Sequence, residues 1–265
     1  MSHLLYETKN GVAYLTMNRP EVRNALSLDM RKKLLETFQS LESDESVRCV
    51  VLRGAGEHFM AGGDVKSFME FASLTPVERR LTFVNRIHAN LNGLMYTMRR
   101  LNKPVIASVR GAAAGAGVSM ALSCDLVVAA EDAFFTLAYS HIASSPDGGA
   151  TYYLPRLVGT KKAMEIALLG DRFTAEEAKD IGMINRVVPG ADLESETRRL
   201  AERLAKGPSR ALGNIKKLIL QSSENSLEQQ LQSEAETFGD SVMADDWVEG
   251  VTAFNEKRKP QYTGR

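Results

Sequence analysis

The stretch from Lys103 to Ala130, KPVIASVRGAAAGAGVSMALSCDLVVAA, decides the architecture. Pro104 to Val109 reads as a buried strand, and Gly111 to Gly117 as a loop made only of glycine and alanine. A short apolar helix to about Ser123 and a second buried strand, Asp125 to Ala130, complete the unit. Side chains no larger than a methyl group leave the loop's backbone N–H groups bare, so another molecule can approach them closely. Those groups would also lie at the positive end of a helix, where developing negative charge is stabilised. Close packing of helix on strand selects the same residues, so the stretch by itself admits a binding loop or a packing contact.

A second loop of the same kind lies upstream. The apolar run Val47 to Leu52 leads into Gly54-Ala55-Gly56-Glu57-His58-Phe59-Met60-Ala61-Gly62-Gly63-Asp64, which again enters a helix. Two such loops can each supply one N–H to a single oxygen atom. Further upstream, Leu4 to Lys9 and Val12 to Met17 form a hairpin around Asn10-Gly11, followed by the polar loop Asn18 to Leu26. Ser27 is placed to cap a helix with Met30, Leu34, Leu35, Phe38 and Leu41 on its apolar face.

Thr75-Pro76-Val77-Glu78 is a capping box opening one long amphipathic helix to about Leu101. Downstream of the central stretch, Phe134 to Thr136 is short and apolar and Tyr139 to Ala150 is turn-rich. Gly159 to Leu169 and Thr174 to Asp180 read as helices, and Ile184 to Val188 as the last strand. Strands alternate with helices to about residue 190 and helices alone follow, which predicts an α/β domain over 1–190 and a helical region over 191–265.

Apolar residues make up 44% of the 265 positions, enough for a sizeable core, and 33 acidic residues balance 33 basic ones. That balance gives no footprint for nucleic acid. Cys49 and Cys124 both sit in apolar runs, which argues against a disulfide framework and for a reducing compartment. The start, MSHLLYETKNG, lacks a signal-peptide pattern, and no run reaches membrane-spanning length, so the expectation is a cytoplasmic protein without a membrane partner.

Gly115-Ala116-Gly117-Val118-Ser119-Met120 lacks the third glycine of a dinucleotide fingerprint, and no P-loop exists. The histidines His3, His58, His88 and His141 are scattered, which gives a metal site no support. Gly117-Val118-Ser119-Met120-Ala121 is like a serine-hydrolase elbow, but the spacing from Val109 puts Ser119 inside the helix, and no Asp then His follows in order.

Asn18-Arg19-Pro20-Glu21, Arg23-Asn24-Ala25-Leu26, Phe59-Met60-Ala61-Gly62-Gly63-Asp64 and the Gly111 to Gly117 loop are then followed by Cys124-Asp125 and Pro146-Asp147-Gly148-Gly149. Leu154-Pro155-Arg156-Leu157-Val158-Gly159 and Phe254-Asn255-Glu256-Lys257-Arg258 complete the series. In this order and spacing the chain resembles the crotonase (enoyl-CoA hydratase/isomerase) superfamily over essentially its whole length. The tail from Glu249 to Gly264 is similar to that of ring-1,2-epoxyphenylacetyl-CoA isomerase-like members.

The resemblance implies a spiral of ββα units with a C-terminal helical trimerisation region, assembled as a homotrimer or a dimer of trimers. It implies an acyl-coenzyme A thioester as ligand, with no cofactor beyond the coenzyme A of the substrate. The thioester oxygen would accept from the N–H groups of Gly63 and Ala116; preorganised donors at such an oxygen contribute about 3 kcal/mol each. Arg23, Ala25, Leu26, Ala61, Asp64 and Val65 match segments that hold adenosine and pantetheine. Phe254 and Lys257 match positions that reach the nucleotide from a neighbouring subunit. Phe68, Met69 and Phe71 would border the acyl group, although helix packing explains them equally well.

Hydratases of the family use two glutamates, and at the matching positions this chain has Ser119 and Tyr139. The carboxylate that matches a family acid/base position is Asp147; as sequence alone, Ser145-Pro146-Asp147-Gly148 reads as a type I turn. One carboxylate suits a proton shuttle between C2 and C4 of an enoyl-CoA, its pKa raised by apolar neighbours. The expected activity is therefore an enoyl-CoA isomerase. The alternatives are a hydratase recruiting other groups, a serine hydrolase using Ser119, and a non-catalytic acyl-CoA binder. Tyr139 and His141 are candidates for orienting substrate, with a half-buried aromatic and a surface histidine as the plainer readings.

Overall fold

A computed structural model describes residues 2–265. The chain opens with a hairpin, β1 (Leu4–Lys9) and β2 (Val12–Met17), whose turn residues Asn10 and Gly11 both have positive φ, the geometry that matches strand twist. Helix α1 (Leu28–Ser43) starts at Ser27, whose hydroxyl accepts from the Met30 N–H. Then follow β3 (Cys49–Gly54), the single turn α2 (Val65–Phe68), α3 (Pro76–Arg86), α4 (Gly93–Arg100) and β4 (Val105–Val109). The central unit continues through β5 (Ala112–Ala114), α5 (Ala116–Ser123), β6 (Leu126–Ala130) and β7 (Phe134–Thr136). After it come α6 (Ala150–Leu169), β8 (Phe173–Thr174), α7 (Ala175–Asp180) and β9 (Arg186–Val188). Four helices close the chain: α8 (Leu193–Ala205), α9 (Ser209–Ser222), α10 (Leu227–Val242) and α11 (Asp245–Asn255).

The large sheet runs β1-β2-β3-β4-β6-β9, parallel from β2 onward with β1 as an antiparallel edge; the small sheet runs β5-β7-β8. After β4 and after β6 the chain steps directly from the large sheet to the small one, then enters a helix-bearing connection. The segment after β3 takes the same step, with Met60 bridging to Ala113 of β5. This strand–strand–helix repeat brings the ends of three connections to one place.

Alternation along the strands divides the core. Val50 and Leu52 face α1 and α5 in the main cluster, whereas Cys49 and Val51 face Leu193, Leu200, Ala201 and Ala205 of α8. The helical region from 191 onward thus begins with a helix layered on the sheet. Later helices pack in sequence, α9 on α10 and α10 on α11, and leave Ile219, Leu227, Leu231, Phe238 and Phe254 exposed. No helix among the described residues is long and apolar enough to cross a membrane.

Besides the two-residue strand β8, which the sequence reading lacks, three elements depart from it. The glycine–alanine run contains a strand, β5, because its alanines pair with β7 on one side and Met60 on the other; tertiary pairing outweighs their poor strand preference. The helix from Pro76 to Arg100 is continuous but widens to a π-helical turn over Ile87–Asn92. Helix α6 begins at Ala150, nine residues before Gly159, where the backbone kinks (φ 77°, ψ 158°); Pro155 and Gly159 conceal it in the sequence.

Candidate active site

Arg23 to Leu26 lies alongside the loop that leaves β3 and is bonded to it throughout. Ala61 N–H donates to Arg23 O (2.9 Å) and Leu26 N–H to Gly62 O (2.7 Å). Wholly buried Asn24 donates through Nδ2 to Ala55 O (2.9 Å) and His58 O (2.7 Å) and accepts from Arg19 N–H. Arg19 Nη1 reaches Ala25 O (2.7 Å) and Asp64 Oδ2 (2.9 Å), so one guanidinium ties both segments at the mouth of α2. Arg23 and Asn24 adopt left-handed φ (52° and 57°), the sharp turn that lets this happen.

The second loop is pressed against the first. A Cβ on Gly62 (φ 93°) would fall 2.9 Å from Ala114 O and 3.6 Å from Ala116 N, and one on Gly117 only 2.3 Å from Met60 O. Small residues are thus required for contact between the loops, as well as for access. Gly115 (φ 50°, ψ −119°) turns the chain so that Ala116 becomes the first residue of α5. Neither the Gly63 N–H nor the Ala116 N–H finds an acceptor among the described residues.

Asp147 sits on the turn ahead of α6. The sequence reading put it third in a type I turn; instead the turn starts at Asp147, whose carbonyl accepts from Ala150 N–H across Gly148 and Gly149, both at positive φ. That carbonyl also accepts from Ser119 Oγ at 2.8 Å, and the Tyr139 hydroxyl donates to Asp147 Oδ1 at 2.7 Å. Burial raises the Asp147 pKa above the usual carboxylate range, opposed by the Tyr139 hydrogen bond and by the charge of Arg31. Tyr139 is pushed above the phenol range, first by burial and then by the adjacent carboxylate, so it remains a donor. Ser119, completely buried in α5, has its hydroxyl committed to Asp147 and no histidine beside it.

Aromatic residues cover the approach. The Phe68 ring lies against Gly63, Phe68 and Phe71 both meet Phe83 edge-on (centroids 5.0 and 5.7 Å), and Arg86 stacks over Phe71 at 4.7 Å. Met69 (73% exposed) and Val65 point outward. Phe254, 84% exposed, and Lys257 lie at the end of α11, whose packing partner is α10; the single chain does not bring them to the loops. His141 is exposed beside Gly170 and makes no bond to Asp147. A surface hollow of about 820 Å³ is lined by Met95, Arg99, Gly148, Gly149, Tyr153 and Lys216, and neither Gly63 nor Ala116 borders it.

Sequence reasoning singled out neither Arg19 nor Arg31 as site residues. Arg31 had a legible signal: with Leu34, Leu35 and Phe38 it keeps the i, i+3, i+4, i+7 spacing of the buried stripe of α1, where a cation is out of place.

The family model described as Enoyl-CoA hydratase/isomerase matches residues 7–265. Over 265 residues, all of both chains, the protein is 38% identical to the 1,2-epoxyphenylacetyl-CoA isomerase of Escherichia coli (strain K12). It is 33% identical, over 96% of its length and 94% of the relative's, to the peroxisomal Delta(3,5)-Delta(2,4)-dienoyl-CoA isomerase of Arabidopsis thaliana. The crystal structure of an enoyl-CoA hydratase from Polaromonas sp. JS666 superposes with a TM-score of 0.90 at 35% identity, covering 98% of this chain and 99% of that one. With one fold, one order of motifs and full-length similarity in agreement, the chain is an enzyme of the enoyl-CoA hydratase/isomerase family, the crotonase superfamily.

Proposed function

We propose that the protein is a cytoplasmic enoyl-CoA isomerase that holds the thioester oxygen between the N–H groups of Gly63 and Ala116 and moves a proton with Asp147. The observation that supports this reading is a half-buried carboxylate of raised pKa bonded to the helix that Ala116 opens, with the Ala116 and Gly63 amides unpartnered on two loops in contact. Removal of a C2 proton from a 3-enoyl-CoA sends the electron pair into the thioester and the C3–C4 double bond, and the oxygen gains charge that the two donors stabilise. The same carboxyl then returns the proton at C4, leaving the double bond between C2 and C3. No cofactor is required beyond the coenzyme A that the substrate carries. The names of the two isomerase relatives point the same way.

In this reading Arg23, Ala25, Leu26, Ala61, Asp64 and Val65 cradle the coenzyme, and Phe68 borders the acyl group. The exposed apolar row on α9 to α11 supports assembly as a homotrimer or a dimer of trimers, through which Phe254 and Lys257 reach a neighbour's nucleotide. Hydration would need a second acid/base group, and the positions facing Asp147 hold the hydroxyls of Ser119 and Tyr139.

Incubation of 3-enoyl-CoA in deuterium oxide, followed by NMR, tests the proposal. Deuterium at C2 and accumulation of 2-enoyl-CoA are expected. Water addition to 2-enoyl-CoA without any double-bond migration would replace this reading with the hydratase one.

A further inference from the structure

A hollow of about 440 Å³ lies between the large sheet and the first turns of α8, a size within the range of small-molecule sites. Tyr14 and Val51 line it from the sheet face that α8 covers, whereas α5 and Ala116 pack on the opposite face. Both carboxylates of the hollow are spent on one cation: Arg53 donates to Glu7 Oε1 at 2.9 Å and stands 3.9 Å from Glu194 Oε1. Lys9, Arg110 and Arg198 line the same hollow, and none of them has a carboxylate partner among the described residues. Arg110 donates to the Gly190 carbonyl, and Glu202, one turn beyond Arg198, is taken by Asn10 Nδ2 at 3.0 Å. His58 adds a donor: its Nδ1 accepts from the Ala112 N–H at 3.2 Å, which leaves the ring proton on Nε2. Cations gathered on a concave surface without counter-ions repel one another and concentrate the field that draws an anion in.

We propose that this hollow is a second ligand site, separate from the acyl-CoA site, which binds a small phosphorylated compound through Arg110 and Arg198. Guanidinium forks match the oxygens of a phosphate, and a phosphate monoester brings enough negative charge to answer most of the excess. The loop from Gly54 to Phe59 forms one wall of the hollow, and its Ala55 and His58 carbonyls accept from Asn24 Nδ2. Asn24 belongs to the segment Arg23 to Leu26, assigned above to the coenzyme, so a ligand in the hollow would steady that segment from behind. This link, unlike the site itself, rests on the acyl-CoA reading.

Titration with inorganic phosphate at constant ionic strength, followed by phosphorus NMR, tests the proposal. Saturable binding with a Kd of about 1 mM or tighter is expected. Arg198 is exposed on α8, and Arg198→Met should weaken phosphate binding about tenfold, the factor that one charge-assisted contact supplies. Arg110→Met should weaken it at least as much. Arg100→Met, at an exposed arginine outside the hollow, should leave it unchanged. Absence of saturation, equal binding by wild type and Arg198→Met, or an equal loss in Arg100→Met overturns the proposal; the wild-type titration decides even where a variant folds poorly. The titration is repeated with saturating coenzyme A. Retained phosphate binding is expected, whereas its loss would place the phosphate in the coenzyme's own site and overturn the second one. Retained binding by a protein with no measurable affinity for coenzyme A would refute the acyl-CoA reading and leave this site standing.

Discussion

The Tyr139 hydroxyl donates to Asp147 Oδ1 at 2.7 Å, and the partners differ in what the surroundings do to their protons. Burial lifts both pKa values, but the phenol starts several pH units above the carboxyl, so between the two the proton stays on tyrosine and the charge on aspartate. The arrangement therefore holds one base, oriented through one oxygen, with its backbone carbonyl fixed by Ser119.

Asp147→Asn keeps an acceptor for Tyr139 and removes the base. Exchange of the C2 proton should fall by about 10² to 10⁴-fold, with coenzyme A affinity retained. Stability should move the other way. The raised native pKa means that stability associated with Asp147 is fully present below the unfolded carboxylate value and is lost as pH rises through the native one. The asparagine variant should thus melt higher than the wild type at pH 7 and show no advantage at about pH 4. Calorimetric Tm values at the two pH values check this, and an advantage at both would show that the carboxylate is not its source.

Tyr139→Phe deletes the hydrogen bond that opposes the rise in the Asp147 pKa. The acid limb of the kcat/KM profile should move to higher pH, with activity on that limb down about tenfold for one charge-assisted bond. Above the limb the loss should be smaller. A uniform loss at every pH would assign Tyr139 to substrate contact rather than to tuning of Asp147.

Much of the alternation of strands and helices is legible in the sequence. The strand, helix and strand read between Pro104 and Ala130 are present, whereas the division of the strands between two sheets has no signature there; the two glycine-rich loops meet as their composition allows. The Asp147 turn was misread because Pro146 suggests a type I turn locally, whereas the contacts of Asp147 and Gly148 with Ser119, 28 residues before Asp147, accompany a turn that starts two positions later. Strand β5 was hidden for a similar reason: nothing in Ala112–Ala114 prefers a strand until Met60 and Phe134–Thr136 flank it. The π-helical turn at Ile87–Asn92 has no signature in its residues.

Neither cysteine should react in the native protein. Burial and the nearby negative Asp125 push the Cys49 thiol up to about 12 and Cys124 higher still. A disulfide-exchange reagent at pH 8 should label both only at the rate of global unfolding, and faster in denaturant. Rapid labelling of one thiol would show that its strand opens locally.

Gly117→Ala probes the contact between the loops. Its Cβ would fall 2.3 Å from the Met60 carbonyl, a backbone atom that cannot swing aside as a side chain would. The expected cost is about 1–3 kcal/mol of stability, together with a displaced Ala116 amide and a lower kcat. Chemical denaturation and steady-state turnover measure the two effects. An alanine variant of full stability and full kcat would show that the loops have room to separate.

Arg19 makes the last connection, because Nη1 alone spans the Ala25 carbonyl and the Asp64 carboxylate. Both side chains are largely shielded from water, 15% and 21% exposed, so the pair escapes the screening that makes surface ion pairs weak. Arg19→Met should loosen Arg23 to Leu26 from the mouth of α2, costing about 1.5–3 kcal/mol of stability. Binding of coenzyme A should weaken with it, since both segments would have to be ordered again. Asp64→Asn removes the charge but leaves the bond to Ala25 O, so its effect should be smaller. A double-mutant cycle separates the ion pair from the carbonyl bond. Coupling of about 1 kcal/mol or more is expected between Arg19 and Asp64, and strictly additive effects would show that the carbonyl bond holds the loop without the carboxylate.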